Sequence, residues 1–178
     1  MSRIDLRTAK QEDIPALREL IQHSARLLRY DLYSPETIEA ALRGPLGLDS
    51  QLVEDGTYFV AEIDGVLAGC GGWSQRRTLS GSDHAVNRDD ALLDPQSEPA
   101  KIRAFFTHPD YARLGVATAL LRASEQAARQ AGFRRVELAA TLPGEPFYAR
   151  HGYKLVEPRT VDLPGGGFLK IRLMSKVL

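Results

Sequence analysis

The sequence is short of several things: among its 178 residues it holds one cysteine, one tryptophan, two methionines and four histidines, and it has no net charge, with 23 Lys and Arg against 23 Asp and Glu. Each shortage excludes something. Cys70 alone cannot close an intramolecular disulfide, and neither it nor His23, His84, His108 and His151 recur at metal-ligand spacing, so no disulfide scaffold and no metal site are expected. Without a surplus of Lys and Arg there is little to displace counterions from a phosphate backbone, which argues against a nucleic-acid coat. No stretch reaches the ~20 apolar residues of a membrane span, and the first twenty residues carry charge throughout, so no membrane partner and no signal peptide are expected. The default compartment is a reducing cytoplasm. Nucleotide and hydrolase fingerprints are missing too. There is no Gly-x-x-x-x-Gly-Lys-Ser/Thr and no His-Glu-x-x-His, Gly69-Cys70-Gly71-Gly72 has no helix after it, and Ser74 lacks the second glycine of a nucleophile elbow.

What remains is 43% hydrophobic residues arranged in clear periods. A chain of this length fits one domain, residues 1–178, burying roughly two thirds of its surface around a core. Residues 3–7 alternate as a strand, and Thr8 with Gln11 has capping-box spacing for a helix. Ile14, Leu17, Leu20, Ile21, Leu27 and Leu28 stripe that helix to about Arg29. Ser34-Pro35-Glu36 opens a second helix, ended by Gly44-Pro45. The run 56–63, the Asp64-Gly65 turn and 66–73 spell a hairpin. Residues 76–98 lose periodicity and read as a long loop rich in acids: Asp83, Asp89, Asp90, Asp94 and Glu98. A strand at 102–107, a helix striped by Val116, Leu120, Ala123 and Ala127, a strand at 135–141, a short helix at 146–151 and a final hairpin from 153 to 175 complete the chain. This order predicts an α/β layered domain with a central mixed, mostly antiparallel sheet flanked by helices.

The stretch Ile102-Arg103-Ala104-Phe105-Phe106-Thr107-His108-Pro109 leads by a tight loop into a helix whose first turn holds Gly115 and Ala117. Exposed amides at such a helix start, with the dipole behind them, suit a pyrophosphate, and Arg113 adds a charged donor. Taken alone, Gly115 equally describes an ordinary strand-to-helix connection. Residues 101–135 carry seven cations against two acids, so the neutral total conceals a basic segment.

This stretch resembles the GNAT superfamily of N-acetyltransferases, which marks its acyl-CoA site with a strand, often His-Pro, then Gln/Arg-x-x-Gly-x-Gly/Ala and a helix. Here His108-Pro109 is followed by Ala112-Arg113-Leu114-Gly115-Val116-Ala117, with alanine where the family usually has Gln or Arg. A second family landmark, Phe-Tyr-x-x-x-Gly-Phe/Tyr, is similar to Phe147-Tyr148-Ala149-Arg150-His151-Gly152-Tyr153. The resemblance covers nearly the whole chain in element order. It implies acetyl-CoA as co-substrate, with the backbone of Phe105, Phe106 and Thr107 binding the pantetheine arm. The amides of Arg113, Leu114, Gly115, Val116, Ala117 and Thr118 are then expected to hold the pyrophosphate, with Tyr148 near the sulfur. Acyl transfer also needs an oxyanion donor, for which the Phe106 N–H is the candidate, and an acid for the leaving thiolate, a task a tyrosine suits. Without the upstream motif, Tyr148 reads better as a core aromatic on a short helix.

The general base is open among Glu98, His84 and Glu62, and Tyr30, Tyr33 and Trp73 are candidates for an acceptor pocket. The implied reaction is direct attack by a small-molecule amine on acetyl-CoA in a ternary complex. The alternatives are a non-catalytic acyl-CoA-binding module and an enzyme acting on a protein amine. The acid-rich loop suggests a cationic acceptor, and the family resemblance leaves a homodimer open.

Overall fold

The computed structural model describes residues 3–27, 31–85 and 88–178. In chain order its elements are β1 (Ile4–Thr8), α1 (Ile14–Arg26), α2 (Pro35–Leu42), α3 (Ser50–Glu54), β2 (Tyr58–Ile63), β3 (Val66–Ser74) and β4 (Ala100–Thr107). Then follow α4 (Val116–Gln130), β5 (Arg135–Thr141), α5 (Glu145–Arg150), β6 (Lys154–Asp162) and β7 (Phe168–Val177). The strands make one sheet in the order β1-β2-β3-β4-β5-β7-β6, antiparallel throughout except where β4 runs parallel to β5. This is the expected mixed α/β layered architecture. No helix among the described residues is long and apolar enough to cross a membrane.

Local chemistry accounts for most boundaries. Ser34 Oγ accepts the Thr37 amide at 3.1 Å and Pro35 sits in the first turn, so α2 starts where the sequence opens it. The helix before it begins differently from expectation. A 3-10 turn, Gln11–Asp13, precedes α1, and the reciprocal cap is made by Lys10 and Asp13 rather than Thr8 and Gln11, with the Lys10 amide donating to Asp13 at 2.7 Å. Asp49 caps the short α3, accepting from the Gln51 amide at 3.1 Å; five residues are too few to show a helical period in the sequence. The Asp64-Gly65 turn has φ of 51° and 77°, the left-handed pair that a tight hairpin requires.

The helices divide between the two faces of the sheet. Leu17 and Ile21 of α1, with Leu52 of α3, bury against Tyr58, Val60 and Cys70, while α2 packs Ile38 and Ala41 over Leu169 and Ile171 of β7. On the opposite face α4 lays Val116 and Leu120 on Ala61, Ile63 and Ala68, and Leu121 and Ala128 on Ile102, Val136 and Leu138. Each such fully buried Leu or Ile contributes about 1.5–3 kcal/mol. The glycines of β3 allow this close approach: a Cβ at Gly69 would lie 2.5 Å from Val116 Cγ1, and one at Gly71 2.8 Å from the Phe105 ring.

β4 decides where a ligand can enter. It is hydrogen-bonded to β5 only at Ala100↔Val136 and Lys101↔Glu137, and a Lys101–Glu137 ion pair ties that second rung. Between Cys70 and Gly72 the register with β3 slips by one residue, and Ala104 adopts φ 57°. That bulge turns the second half of β4 away from β5.

Candidate active site

The divergence of β4 and β5 opens a cavity of about 280 Å³ through the sheet. One wall is the run Ile102 to Thr107 on β4, and the other is Leu138, Ala139 and Thr141 on β5 with Phe147 and Tyr148 on α5. Ala117 of α4 closes one end. At the other end Leu46, Leu79, Val161, Leu169 and Ile171 form an apolar floor.

At the end nearer α4, the loop from 112 to 115 and the start of the helix form a cradle. Gly115, at φ 87°, is the N-cap residue and offers no side-chain cap, and the first turn carries no acid. The amides of Val116, Ala117 and Thr118 therefore point out of the helix start without a side-chain acceptor, backed by a fifteen-residue helix dipole. Arg113, itself at φ 68°, and Leu114 are exposed beside them. Val116 contributes only its amide, because its side chain is buried on Gly69. The Thr118 hydroxyl is engaged with His151 Nε2 at 3.1 Å, and His151 Nδ1 lies 2.8 Å from Phe147 O, so this histidine ties α5 to α4. Donors without acids, at the mouth of a slot, fit a diphosphate whose attached arm runs along β4.

Tyr148 lines the slot, with its ring edge-on to Phe105 at 6.4 Å and to Phe147 at 5.1 Å. Its hydroxyl is given no hydrogen bond by the described residues and is not sealed from the slot. Desolvation in this aromatic nest raises its pKa, so the phenol stays protonated and has a proton to donate.

The Phe106 amide, expected as the oxyanion donor, faces β3 and not the slot. His108 N–H donates to Ala68 O of β3 at 2.8 Å, and with the two-residue repeat of a strand the Phe106 N–H also faces β3, where Phe106 is paired with Cys70. The amide of Thr107 takes the alternate direction, toward the slot. The bulge at Ala104 shifts the parity by one residue, and no periodicity in 102–107 reveals that.

The remaining candidates scatter. Tyr33 is 6% exposed and acts as a strut, donating to Lys170 O at 2.7 Å and accepting from the Leu142 amide at 2.8 Å. Trp73 packs edge-on to Phe133 in the core on the α4 face. His84 lines a separate cavity with Arg18 and Asp83. Glu98 accepts from the Asp94 amide and pairs with Arg77, and Glu62 pairs with Arg7, so none of the three candidate bases borders the slot. Tyr30 lies outside the described residues. The loop acids are likewise spent locally: Asp83 accepts from Ser50, Asp90 pairs with Arg88, and Asp94 holds the Gln96 amide and the Ser97 hydroxyl. The expected steering of a cationic acceptor by this loop therefore has no structural basis. Nor is the basic segment 101–135 a single patch, since Lys101 is bound to Glu137 and Arg103 to Asp49.

Arg103 is a site residue outside the sequence-based expectations. It lines the slot yet is 4% exposed, with Nη2 2.7 Å from Asp49 and 3.0 Å from Gly81 O, and Nη1 3.0 Å from Thr78 O. Arg88 stands on the other side of Asp49 at 3.2 Å. A charge inside the otherwise apolar strand Ile102-Arg103-Ala104-Phe105 was the available signal, because a buried cation requires a buried partner.

Comparison with known proteins gives a consistent picture. The model of the acetyltransferase (GNAT) family matches residues 16–153. Among solved structures, a GCN5-related N-acetyltransferase from Rhodopseudomonas palustris is 25% identical, with a TM-score of 0.75 over 100% of this chain and 98% of that one. The PaiA N-acetyltransferase of Thermoplasma acidophilum, solved with coenzyme A, shares the fold at 16% identity and a TM-score of 0.65, covering 99% of each chain. YncA of Salmonella typhimurium, described as a putative acetyltransferase and solved with acetyl-CoA, does so at 18% and 0.63 over 99% of this chain and 95% of that one. A search of curated proteins gave no significant match.

Proposed function

The chain belongs to the GNAT acetyltransferase family, and on that premise we propose that it moves the acetyl group of acetyl-CoA onto the amine of a small, largely apolar molecule by direct attack in a ternary complex. The observation that carries this reading is the slot itself: an uncapped helix start without acids lies at one end and an apolar floor at the other, with Tyr148 and the free edge of β4 between them.

Acetyl-CoA would supply a thioester, whose carbonyl carbon accepts the amine and whose sulfur leaves. The residues of this chain do the rest. Amides of Val116, Ala117 and Thr118 hold the diphosphate, and the edge of β4 at Thr107 aligns the arm as an added strand would. Holding both reactants in near-attack geometry can supply several kcal/mol of the barrier without a covalent enzyme intermediate. Tyr148, kept protonated by burial, donates a proton to the departing thiolate, and the proton given up by the attacking amine nitrogen returns to the phenol, so that the C–N bond forms as the C–S bond breaks.

The acceptor class follows from the floor. No carboxylate is found among the described residues lining the slot, and the buried Arg103 already has its counter-ion in Asp49. An ammonium entering there would lose its hydration with no anion to replace it, so the neutral amine is the form that binds. A cavity of this volume suits a compact molecule. The test combines two measurements. Acetyl-CoA is expected to raise the melting temperature by mass action. Release of CoA thiol is then followed over apolar alkyl and aryl amines, polyamines, amino acids and lysine peptides, with the rate rising with pH toward the pKa of each productive amine. No stabilisation by millimolar acetyl-CoA refutes the reading. Turnover confined to polyamines or peptides refutes the acceptor class alone.

A further inference from the structure

Tyr58 is wholly buried, and its hydroxyl reaches across β3 to donate to Ala104 O at 2.7 Å, 46 residues away in sequence. Ala104 is the residue at φ 57° where β4 bulges, a conformation that residues with a Cβ avoid unless neighbours hold it. The Cys70 sulfur lies 3.1 Å from the same phenol oxygen. The phenol has one proton, committed to the shorter contact, so the thiol proton serves the Tyr58–Cys70 pair. Phe106, two residues beyond Ala104, is the ladder partner of Cys70. A side chain of β2 thus holds the carbonyl side of the bulge, and the β3 ladder holds the residue beyond it.

The grip has a directional consequence. No peptide bond in the described chain is cis, so the C=O of Ala104 and the N–H of Phe105 point in opposite directions across one planar unit. Tyr58 and Cys70 lie on the α1 face of the sheet, on the β3 side of β4. With the carbonyl held there, the Phe105 N–H is turned toward the slot. Its hydrogen bond to the phenol also polarises the peptide, which strengthens the N–H as a donor. Gly71 leaves room for the arrangement, since a Cβ there would strike the Phe105 ring. Burial pushes the Cys70 thiol up to about 12 and the Tyr58 phenol upward as well, so both stay protonated.

We propose that Tyr58 is a positioning residue for acetyl transfer: by anchoring Ala104 O it sets the Phe105 N–H as the donor to the oxygen of the reacting thioester. The proposal rests on the acetyl-transfer reading of the slot. Its consequence is a separation of effects. Tyr58→Phe keeps the packing, the α4 cradle and Tyr148, and frees the Ala104 carbonyl together with the Cys70 thiol.

The experiment uses acetyl-CoA carrying ¹³C at the thioester carbonyl, bound to the full chain and examined by infrared difference spectroscopy, beside steady-state kinetics. In the wild type the carbonyl stretch moves to lower wavenumber on binding. In Tyr58→Phe that shift shrinks, and kcat falls about tenfold or more, a fraction of the loss seen when an oxyanion donor is deleted outright. KM for acetyl-CoA and the dissociation constant of CoA stay where they were. Unchanged kcat and an unchanged carbonyl shift in Tyr58→Phe overturn the proposal; so does a parallel loss of CoA affinity, which marks a merely structural role. If Tyr58→Phe does not fold, 3,5-difluorotyrosine at position 58 replaces it. This stronger donor of nearly the same shape is expected to increase the shift, and no change again overturns the proposal. Failure of acetyl-CoA to bind the wild type removes the acetyl-transfer reading instead.

Discussion

Replacing Asp49 by asparagine tests how the acceptor side of the slot is held. Asp49 is 1% exposed and accepts from Arg103 Nη2 at 2.7 Å, pairs with Arg88 at 3.2 Å and caps α3 through the Gln51 amide. Asn keeps an oxygen for the cap and removes the charge. Arg88, whose side chain is 18% exposed, still has Asp90 at 2.9 Å; Arg103, 3% exposed, has no other anion among the described residues. One uncompensated buried cation costs about 3–5 kcal/mol, and the surviving hydrogen bonds of Arg103 to Thr78 O and Gly81 O favour the lower end. At ~2–4 °C per kcal/mol for a chain of this size, the melting temperature is expected to fall by about 6–12 °C, read by calorimetry without ligand. Arg103→Met removes the charge that needs a partner and leaves Asp49 with Arg88, so it costs less. The double variant is expected to be more stable than the two single losses would add to, because the two sites touch. In Asp49→Asn, KM for the amine rises more than KM for acetyl-CoA, since Leu79 and Gly81 border the slot near the apolar floor. A melting temperature within ~2 °C of wild type, with strictly additive losses, refutes the assignment of Asp49 as the counter-ion that anchors this wall.

Two further outcomes are expected. Tyr148→Phe retains the ring contacts with Phe105 and Phe147 and loses the proton donor, so kcat falls by about 10²-fold with acetyl-CoA binding unchanged; a kcat within twofold of wild type removes the acid role. Asp55, hydrogen-bonded to Arg76 at 2.7 and 2.9 Å, has its pKa lowered chiefly by that guanidinium. A carboxylate held low in the folded state contributes stability that is present above its unfolded value, about 4, and is lost as pH falls through the lower folded value. Asp55→Asn is therefore expected to destabilise the protein at neutral pH and to flatten the acid limb of its stability curve. An acid limb identical to wild type in urea melts at pH 2–5 refutes that linkage.

Much of this architecture was legible because local chemistry and burial agree. Ser34-Pro35 starts a helix by its own cap, Asp64-Gly65 makes a turn by its own φ preference, and Val116, Leu120 and Ala127 mark the apolar side of a helix that packs as marked. The loop and first turn at 112–118 and the position of Tyr148 follow from two motifs a strand apart. What stayed hidden depends on partners far away in sequence. Tyr33, Trp73 and Glu62 are residue types that can line a pocket or build a core, and only Lys170, Phe133 and Arg7 decide which. Arg103 gave a signal without an address, because its counter-ion lies 54 residues earlier at the start of a helix too short to announce itself.

The bulge in β4 shows why such long-range information matters to the chemistry. A regular strand of eight residues beside β5 would pair along its length, leaving no slot and turning every second amide into the ladder. Here two rungs, closed by the Lys101–Glu137 pair, fix where β4 begins, and one extra residue at Ala104 sets the rest free. The same residue changes which amides face the opening, moving that role from Phe106 to its neighbours. The opening between β4 and β5 and the direction of the amides beyond Ala104 therefore follow from a single register shift. Its stability rests on a phenol two strands away and on the glycines of β3 that let Phe105 lie flat. Any substitution that straightens β4 should abolish acyl binding and acceptor binding together, whereas losses at the α4 cradle should affect the cofactor alone.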